Sequence, residues 1–257
     1  MKGIVEIQIG QFFLIYLLLL VVLLIMKRCQ ISQSKLLIVA SIRMTVQLTL
    51  AGLVLTYLFE NPHPAATLSY VALMTAFSIV RVLGKHKDLN ARFRLVIGLS
   101  IALPGLAVMA FFIGIVVGES LLNPQYVIPV AGMILGNTMT GTALGIKSFR
   151  ESLAGQRARM MALLNLGVRP QQILLPFVRK ALETALLPTL NSMLGLGIVA
   201  LPGMMTGQIL SGTLPTTAIL YQIAIMIAIC TVVCLSTFSS LYFGYHTLYN
   251  KRNQFLL

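Results

Sequence analysis

The chain has 257 residues, 58% of them apolar and 10% charged, and a mean hydropathy of +0.92. A soluble domain carries about 25% charged residues, so this chain cannot cover itself with a polar surface and a soluble globule is excluded. Six acids stand against nineteen Lys and Arg, for a net charge of +13. A nucleic-acid binder is basic and hydrophilic; a basic and oily chain uses its charge to orient in a membrane.

The spans follow in order. Gly10 to Met26 is apolar and short for a span, which needs about 20 residues; Lys27, Arg28 and Lys35 follow it. Leu36 to Phe59 is the second span, stopped by Glu60-Asn61-Pro62-His63-Pro64. The third is Ala65 to Leu83, followed by a charged loop from Arg81 to Arg94 that includes Lys85, Lys87, Asp88 and Arg92. The fourth is Leu95 to Val117, with Pro104-Gly105 near its middle; the next turn holds Glu119 and Asn123-Pro124. The fifth is Tyr126 to Ile146, and Lys147 to Lys180 then carries seven basic residues and one acid. The sixth is Leu186 to Leu210. Gly212 and Pro215 make a tight turn, and the seventh runs from Thr216 to Leu235, extendable to Phe243. Lys251 and Arg252 lie in the tail.

With the N-terminus outside, eighteen of the nineteen Lys and Arg lie on the cytoplasmic side or at its edge, and Lys2 alone is outside. The positive-inside rule therefore favours seven spans, N-out and C-in. If the first segment lies on the surface, six spans remain with the same orientation. The fold class is all-α: a polytopic membrane protein with one transmembrane domain over residues 1–257 and a cytoplasmic coupling region at about 147–185. Neither GxxxxGK[ST] nor HExxH occurs. Cys29, Cys230 and Cys234 carry no disulfide pattern; the last two, four apart, read as packing residues.

Several polar or flexible residues fall inside spans. Arg43 either snorkels to the cytoplasmic face or makes a pore-edge or inter-subunit contact with Gln47, one turn on. Thr45 and Thr49 can bond to their own helix. The fifth span pairs Gly132 with Gly136 and Gly141 with Gly145, spacings that let helices approach closely. They serve packing alone, or Asn137, Met139 and Thr140 line a path; Asn137 needs a partner or water. The sixth span holds Asn191, Ser192, Gly195 and Gly197, then Pro202-Gly203-Met204-Met205-Thr206-Gly207-Gln208. Pro202 frees the carbonyl of Ile198, so the helix should kink or break there. Gly203 and Gly207 form a third packing step. Met204, Met205 and Gln208 are either filler or the lining of a cavity at a broken helix.

The stretch Ala158 to Leu210 organises the chain. Ala162, Leu163, Leu166, Ile173, Leu174 and Phe177 alternate with Arg157, Arg159, Arg169, Arg179 and Lys180. Gly167 ends one helical run and Pro170 opens the next, which predicts two short helices with a sharp bend. The segment lies on lipid or docks into a cytoplasmic partner.

LLNLGVRPQQILLPFVRKAL resembles the coupling motif of ABC-transporter permeases, with Ala162, Gly167 and Pro176 in the matching places. The glutamate that commonly begins that motif is absent; Met160 and Met161 stand there. Five stretches make the whole chain similar to the small iron-export permeases whose plant relatives are linked to aluminium tolerance. They are Arg43–Leu48, Pro129–Asn137, Leu166–Pro170, Leu187–Ser192 and Leu201–Gln208. Where those relatives carry an aspartate before the serine, this chain has Asn191.

The resemblance implies a permease subunit of the bacterial plasma membrane, not itself an enzyme. Two copies would form the core, and two copies of a separate ATPase would bind below, carrying the ATP and Mg. Leu163, Leu166, Gly167, Val168, Arg169, Pro170 and Ile173 would couple to that partner. Arg43, Gln47, Asn137, Met139, Asn191, Pro202, Met204, Met205 and Gln208 would line the path for iron or a related metal. No cofactor is expected on this chain, and no metal-ligand set can be named. A stand-alone secondary transporter or channel for a metal or small apolar solute is the alternative, although intramembrane acids for ion coupling are missing. A membrane enzyme would need acid or histidine pairs; Glu183 is the nearest candidate, and a salt bridge to Lys180 accounts for it better.

Overall fold

The computed structural model describes residues 9–86 and 89–249. Lys2, Lys87, Asp88, Lys251 and Arg252, which entered the orientation argument, lie outside the described residues. The described chain is helical throughout: α1 (Ile9–Arg28), α2 (Ser34–Glu60), α3 (Pro64–Gly84), α4 (Ala91–Phe111), α5 (Pro124–Gly155), α6 (Arg157–Asn165), α7 (Pro170–Gly195), α8 (Gly203–Leu210) and α9 (Pro215–Tyr245). A π-helical stretch, Phe112–Val117, extends α4, and the short 3-10 turn His246–Leu248 follows α9. Among the described residues the sole β-type pairing is an isolated bridge between Leu196 and Ala200.

The helix starts have local causes. His63 Nδ1 accepts from the Ala65 N–H at 3.3 Å and opens α3. Asn90 Oδ1 accepts from Phe93 N–H at 2.7 Å and opens α4; Asn123 Oδ1 accepts from Gln125 N–H at 3.1 Å and opens α5. These side chains satisfy backbone donors that a helix start leaves unpaired. Proline holds the first turn of α3, α5, α7 and α9, where its missing N–H costs nothing.

Six helices are long and apolar enough to cross a membrane: α1, α2, α3, α4 with its π-helical extension, α5 and α9. The chain is therefore a multi-pass all-α membrane protein. The expected sixth span, Leu186 to Leu210, is not one helix. Its first part is the end of α7, residues 196–202 are non-helical, and the rest is α8. The break expected at Pro202 starts earlier. Gly197 sits at φ +81, and the N–H groups of Val199 and Ala200 turn back onto the Gly195 carbonyl at 3.0 and 3.1 Å. Pro202 then ends the break, with its own carbonyl receiving the Thr206 N–H at 2.9 Å as α8 begins.

The expected pair of short helices is also revised. α6 has 9 residues, but α7 has 26. The reason is a continuous buried stripe, Ile173/Leu174, Phe177/Val178, Ala181, Ala185 and Thr189, which repeats at helical spacing through the expected boundary. Lys180 and Glu183 are both exposed and form no ion pair, contrary to expectation; the ion pair found among the described residues is Lys147–Glu151, at 3.8 Å.

α9 is the central post. It packs along α4, α5 and α7, while α1 touches little besides α2. The buried side chains form two clusters, one above the other. The first, at the basic end, includes Phe93, Ile97, Phe149, Leu174, Phe177 and Leu241; the second includes Phe112, Ile113, Val127, Ile134, Ile225 and Val232. α7 joins the two levels, since Leu174 and Phe177 belong to the first and Leu186 packs on the second.

Three glycines let the post stand close. A Cβ on Gly141 would lie 2.5 Å from Val233 Cγ1, and one on Gly145 would lie 2.6 Å from Thr237 Cγ2. At Gly244 the Phe93 ring already occupies the place of a Cβ. Gly136, Gly203 and Gly207 carry the same sequence spacing, yet a Cβ on any of them meets open space; at Gly132 it would touch the Met74 methyl at 3.4 Å. Gly141→Leu and Gly244→Leu should each cost about 1–3 kcal/mol through overpacking, lowering the thermal midpoint in detergent, whereas Gly136→Ala and Gly207→Ala should leave it near wild type.

Candidate functional site

α5 is the most enclosed of the long helices, so its one open stripe stands out. Ile134, Leu135, Thr138, Gly141, Thr142, Gly145, Ile146 and Phe149 are buried. Asn137, Thr140, Lys147 and Glu151 are exposed, with Met133, Gly136 and Leu144 half-buried between them. Spacings of three and four place these residues on one face. The stripe thus runs from amide and hydroxyl groups within the span to charged groups at the basic end.

Hydrogen bonding on the stripe is local. Asn137 Nδ2 donates to the Met133 carbonyl at 2.8 Å, and Thr140 Oγ1 donates to the Gly136 carbonyl at 3.1 Å. Each bond uses one donor of its group within its own helix. Thr45 and Thr49 behave as their sequence context predicts, donating to Ser41 and Thr45 carbonyls at 3.0 Å each. Ser148 and Thr184 join α5 to α7 through a 3.1 Å hydroxyl pair.

The other expected path residues stand as follows. Arg43 and Gln47 are exposed on α2; the Arg43 guanidinium lies 5.8 Å from the Phe77 ring centre on α3. A cation over an aromatic face is favourable where water is scarce. Asn191 is exposed near the end of α7, and Ser192 Oγ donates to the Pro188 carbonyl at 2.9 Å. Pro202, Met204, Met205 and Gln208 are half-buried, with Met204 packed on the second cluster. Among the described cavities none collects these residues; Met139 alone of them lines one. Within one chain they form separate patches and not a closed site.

The expected coupling residues divide by burial. Leu163 and Val168 pack on the basic-end cluster, and Pro170 and Ile173 are buried. Gly167, Arg169 and Leu166 reach the surface, and Leu166 is 79% exposed. Gly167 holds φ +85, the left-handed region that suits glycine at a helix end. Its N–H and that of Val168 return to the carbonyls of Leu164 and Leu163 at 3.0 and 3.1 Å. The result is a rigid elbow with an apolar tip.

Two features escaped the sequence reading. Gln222 is buried in α9, and its Oε1, like that of Gln208, accepts no hydrogen bond. The signal was a lone amide within an apolar run. The second is a basic cavity of about 630 Å³ between α3 and α5, edged by Arg81, Lys85, Lys147 and Arg150. The sequence reading placed these residues in loops, but α5 continues to Gly155 and carries two of them. Among the described residues no three His, Cys, Asp or Glu come together as a metal site.

Comparison with known proteins now bears on this geometry. Residues 9–249 match the family described as "Uncharacterised protein family (UPF0014)". The chain belongs to the UPF0014 family. Among its UPF0014 relatives, "UPF0014 membrane protein YjkA" of Bacillus subtilis is 30% identical, over 91% of this chain and 95% of that protein. "Probable iron export permease protein FetB" of Escherichia coli is 31% identical, over 84% and 82%. "Protein ALUMINUM SENSITIVE 3" of Arabidopsis thaliana is 32% identical, over 82% and 77%. The resemblance to iron-export permeases and plant aluminium-tolerance proteins therefore stands as family membership. No solved structure matches the chain.

If the α5 stripe meets water, a polar thiol reagent should modify Asn137→Cys and Thr140→Cys, in a background with Cys29, Cys230 and Cys234 replaced by Ser. Leu103→Cys, which faces outward from α4 among apolar neighbours, should stay unmodified. Equal rates at all three positions would deny the stripe a separate environment.

Proposed function

We propose that this chain is the membrane subunit of an ATP-driven exporter, working as two copies with two copies of a separate ATPase. The observation that carries the proposal is α7. One helix runs from the apolar-tipped elbow at Leu166–Pro170 through the core to the break at residues 196–202. At 1.5 Å per residue its 26 residues reach about 39 Å, close to the full thickness of a bilayer with its headgroups. A push at the elbow therefore arrives at the break without an intervening loop. Pro176 and Pro188 each remove one internal hydrogen bond and supply bending points along the way.

The basic end is the cytoplasmic end in this reading, because Lys and Arg accumulate on the side that is not translocated. The ATPase docks there, and Leu166 fills a pocket on it, with Arg169 beside it. Binding and hydrolysis of ATP on the partner shift the membrane subunits between two packings that differ by a few kcal/mol. Arg43, Gln47, Asn137 and Asn191 are exposed on helices of membrane-spanning character, and lipid is a costly neighbour for such groups. A second copy covers part of them, and the rest line the path.

The substrate is iron or a related metal ion, in keeping with the printed name of the Escherichia coli relative. Iron(II) accepts oxygen and nitrogen ligands. Asn137, Asn191, Gln208 and the free carbonyls of the break offer such oxygens singly, and weak ligands suit an ion that has to be released. Stand-alone transport is the competing outcome of the test.

The test is ATPase activity of the chain in lipid with its candidate ATPase, with and without iron(II). Leu166→Glu is the decisive variant, because Leu166 is solvent-exposed and its change should leave the fold intact. A change at Gly167 would add strain at positive φ. Iron should raise the rate in wild type, and Leu166→Glu should lose at least tenfold in partner affinity, about 1.4 kcal/mol. A partner that binds but ignores iron discards the substrate and keeps the architecture; a partner that neither binds nor accelerates discards the exporter.

A further inference from the structure

The basic cavity between α3 and α5 shares Met139, Thr140 and Leu144 with the candidate path and the α5 stripe, but its cationic rim is not absorbed by the transport reading. Along α5 it runs from Met139 and Thr140 to Glu151 and Ala154, about 22 Å at 1.5 Å per residue. Its chemistry changes along that length. The deeper part is walled by Val82, Met139, Thr140, Ala143 and Leu144, with the Thr140 hydroxyl bonded to the Gly136 carbonyl of its own helix; the part nearer the basic end is edged by Arg81, Lys85, Lys147 and Arg150. Among the described residues three exposed cations, Arg81, Lys85 and Lys147, stand there with one acid, Glu151, whose contact with Lys147 is a long 3.8 Å and largely solvent-exposed. Such a pair contributes little and is easily rearranged. Arg150 lies 3.5 Å from His86 Nδ1 and is held at the floor of the cavity. Arg81, Lys85 and Lys147 point their exposed side chains around the opening.

We propose that this cavity binds the phosphate headgroup of an anionic phospholipid from the cytoplasmic leaflet, with the first part of an acyl chain in the apolar slot. A free phosphate ion would answer the cations but leave the apolar slot unfilled. A neutral lipid would fill the slot but offer no counter-charge to Arg81, Lys85 and Lys147. An anionic phospholipid does both, and its headgroup lies at the depth of the charged rim when the basic end faces the cytoplasm. The site rests on that orientation and not on ATP coupling or on the identity of the cargo. Transport could fail its test while the lipid site stands, and the reverse.

Native mass spectrometry of the full-length chain, incubated with phosphatidylglycerol or phosphatidylcholine of matched chains, tests the proposal. Wild type should retain phosphatidylglycerol in preference. Arg81→Gln with Lys147→Gln should reduce that preference by roughly fivefold per charge removed. A control pair outside the cavity, Arg157→Gln with Arg159→Gln, should leave it unchanged. Leu144→Phe, which narrows the slot and keeps every charge, should also lower retention, and it decides the question if the double variant does not fold. Equal retention of the two lipids by wild type, or an unchanged preference in the variants that fold, overturns the proposal. So does a rise in thermal midpoint with inorganic phosphate that phosphatidylglycerol fails to produce, since the ligand would then be a free anion.

Discussion

The fold depends on how near α9 can come to its neighbours. Inside a bilayer, burying an apolar side chain gains little, because lipid tails are as apolar as leucine; helices associate through close van der Waals contact and the few polar bonds between them. Gly141, Gly145 and Gly244 supply that closeness, each where a Cβ would collide with Val233, Thr237 or Phe93. Once α4 and α5 are drawn against α9, Thr138, Thr142, Ser236, Thr237 and Ser240 become buried between small residues. The oxygens of Thr142, Ser236, Thr237 and Ser240 have no partner beyond the contact itself. The post is held by backbone proximity, and the loosely packed parts lie elsewhere.

They are the α1–α2 hairpin and the break that follows α7. α1 has no buried residue in its spanning window, and α2 has few. A hydroxyl pair between Tyr16 and Thr45, 2.5 Å apart, ties the two helices together. The hairpin stands beside the core, joined to it by few contacts such as Arg43 over Phe77. At the break the exposure is of a different kind: Ile198 and Val199 are 89% and 87% exposed. A non-helical backbone at membrane depth is tolerated where protein or a water-filled cavity shields it. The break and the polar groups of α2, α5 and α7 share this exposure within the chain.

Much of this was legible in the sequence, and the failures have physical causes. His63, Asn123 and Pro170, which stand at turns in the sequence, open helices because they act locally, whereas Asn90, which opens α4, was not singled out. The positions of the helices followed from apolar length. Small-residue spacing was a weaker guide: Gly141/Gly145 and Gly203/Gly207 look alike in sequence, and only the first pair faces another helix. Gly244 has no glycine partner at that spacing, so its contact with Phe93 was invisible. The sixth span was misdrawn because apolar length ignored the stripe from Ile173 to Thr189, whose period carries α7 across the charged segment. Charges near a span end were assigned to loops, which hid the cavity that Arg81 and Lys147 build from two helix faces. The separate patches of Arg43, Asn137 and Asn191 were out of reach for another reason: they lie on three different helices and line no common described cavity, which spacing along the sequence cannot foretell.

The length of α7 constrains what any partner at the elbow can do. A loop between the surface helix and the span would absorb motion by changing its own dihedrals. A single helix cannot, except at Pro176 and Pro188, where an internal bond is already missing. Between these prolines lie Ala181, against Gly145, and Thr184, bonded to Ser148. This middle segment is clamped to α5 and, through α5, to α9. In the coupling proposed above, a displacement of Leu166 would therefore divide: below Pro176 it would bend α7 near the elbow, and beyond Pro188 it would tilt the last turns of α7 and residues 196–202. The clamp would act as the fulcrum, and the part set to swing carries the exposed side chains of Ile198 and Val199.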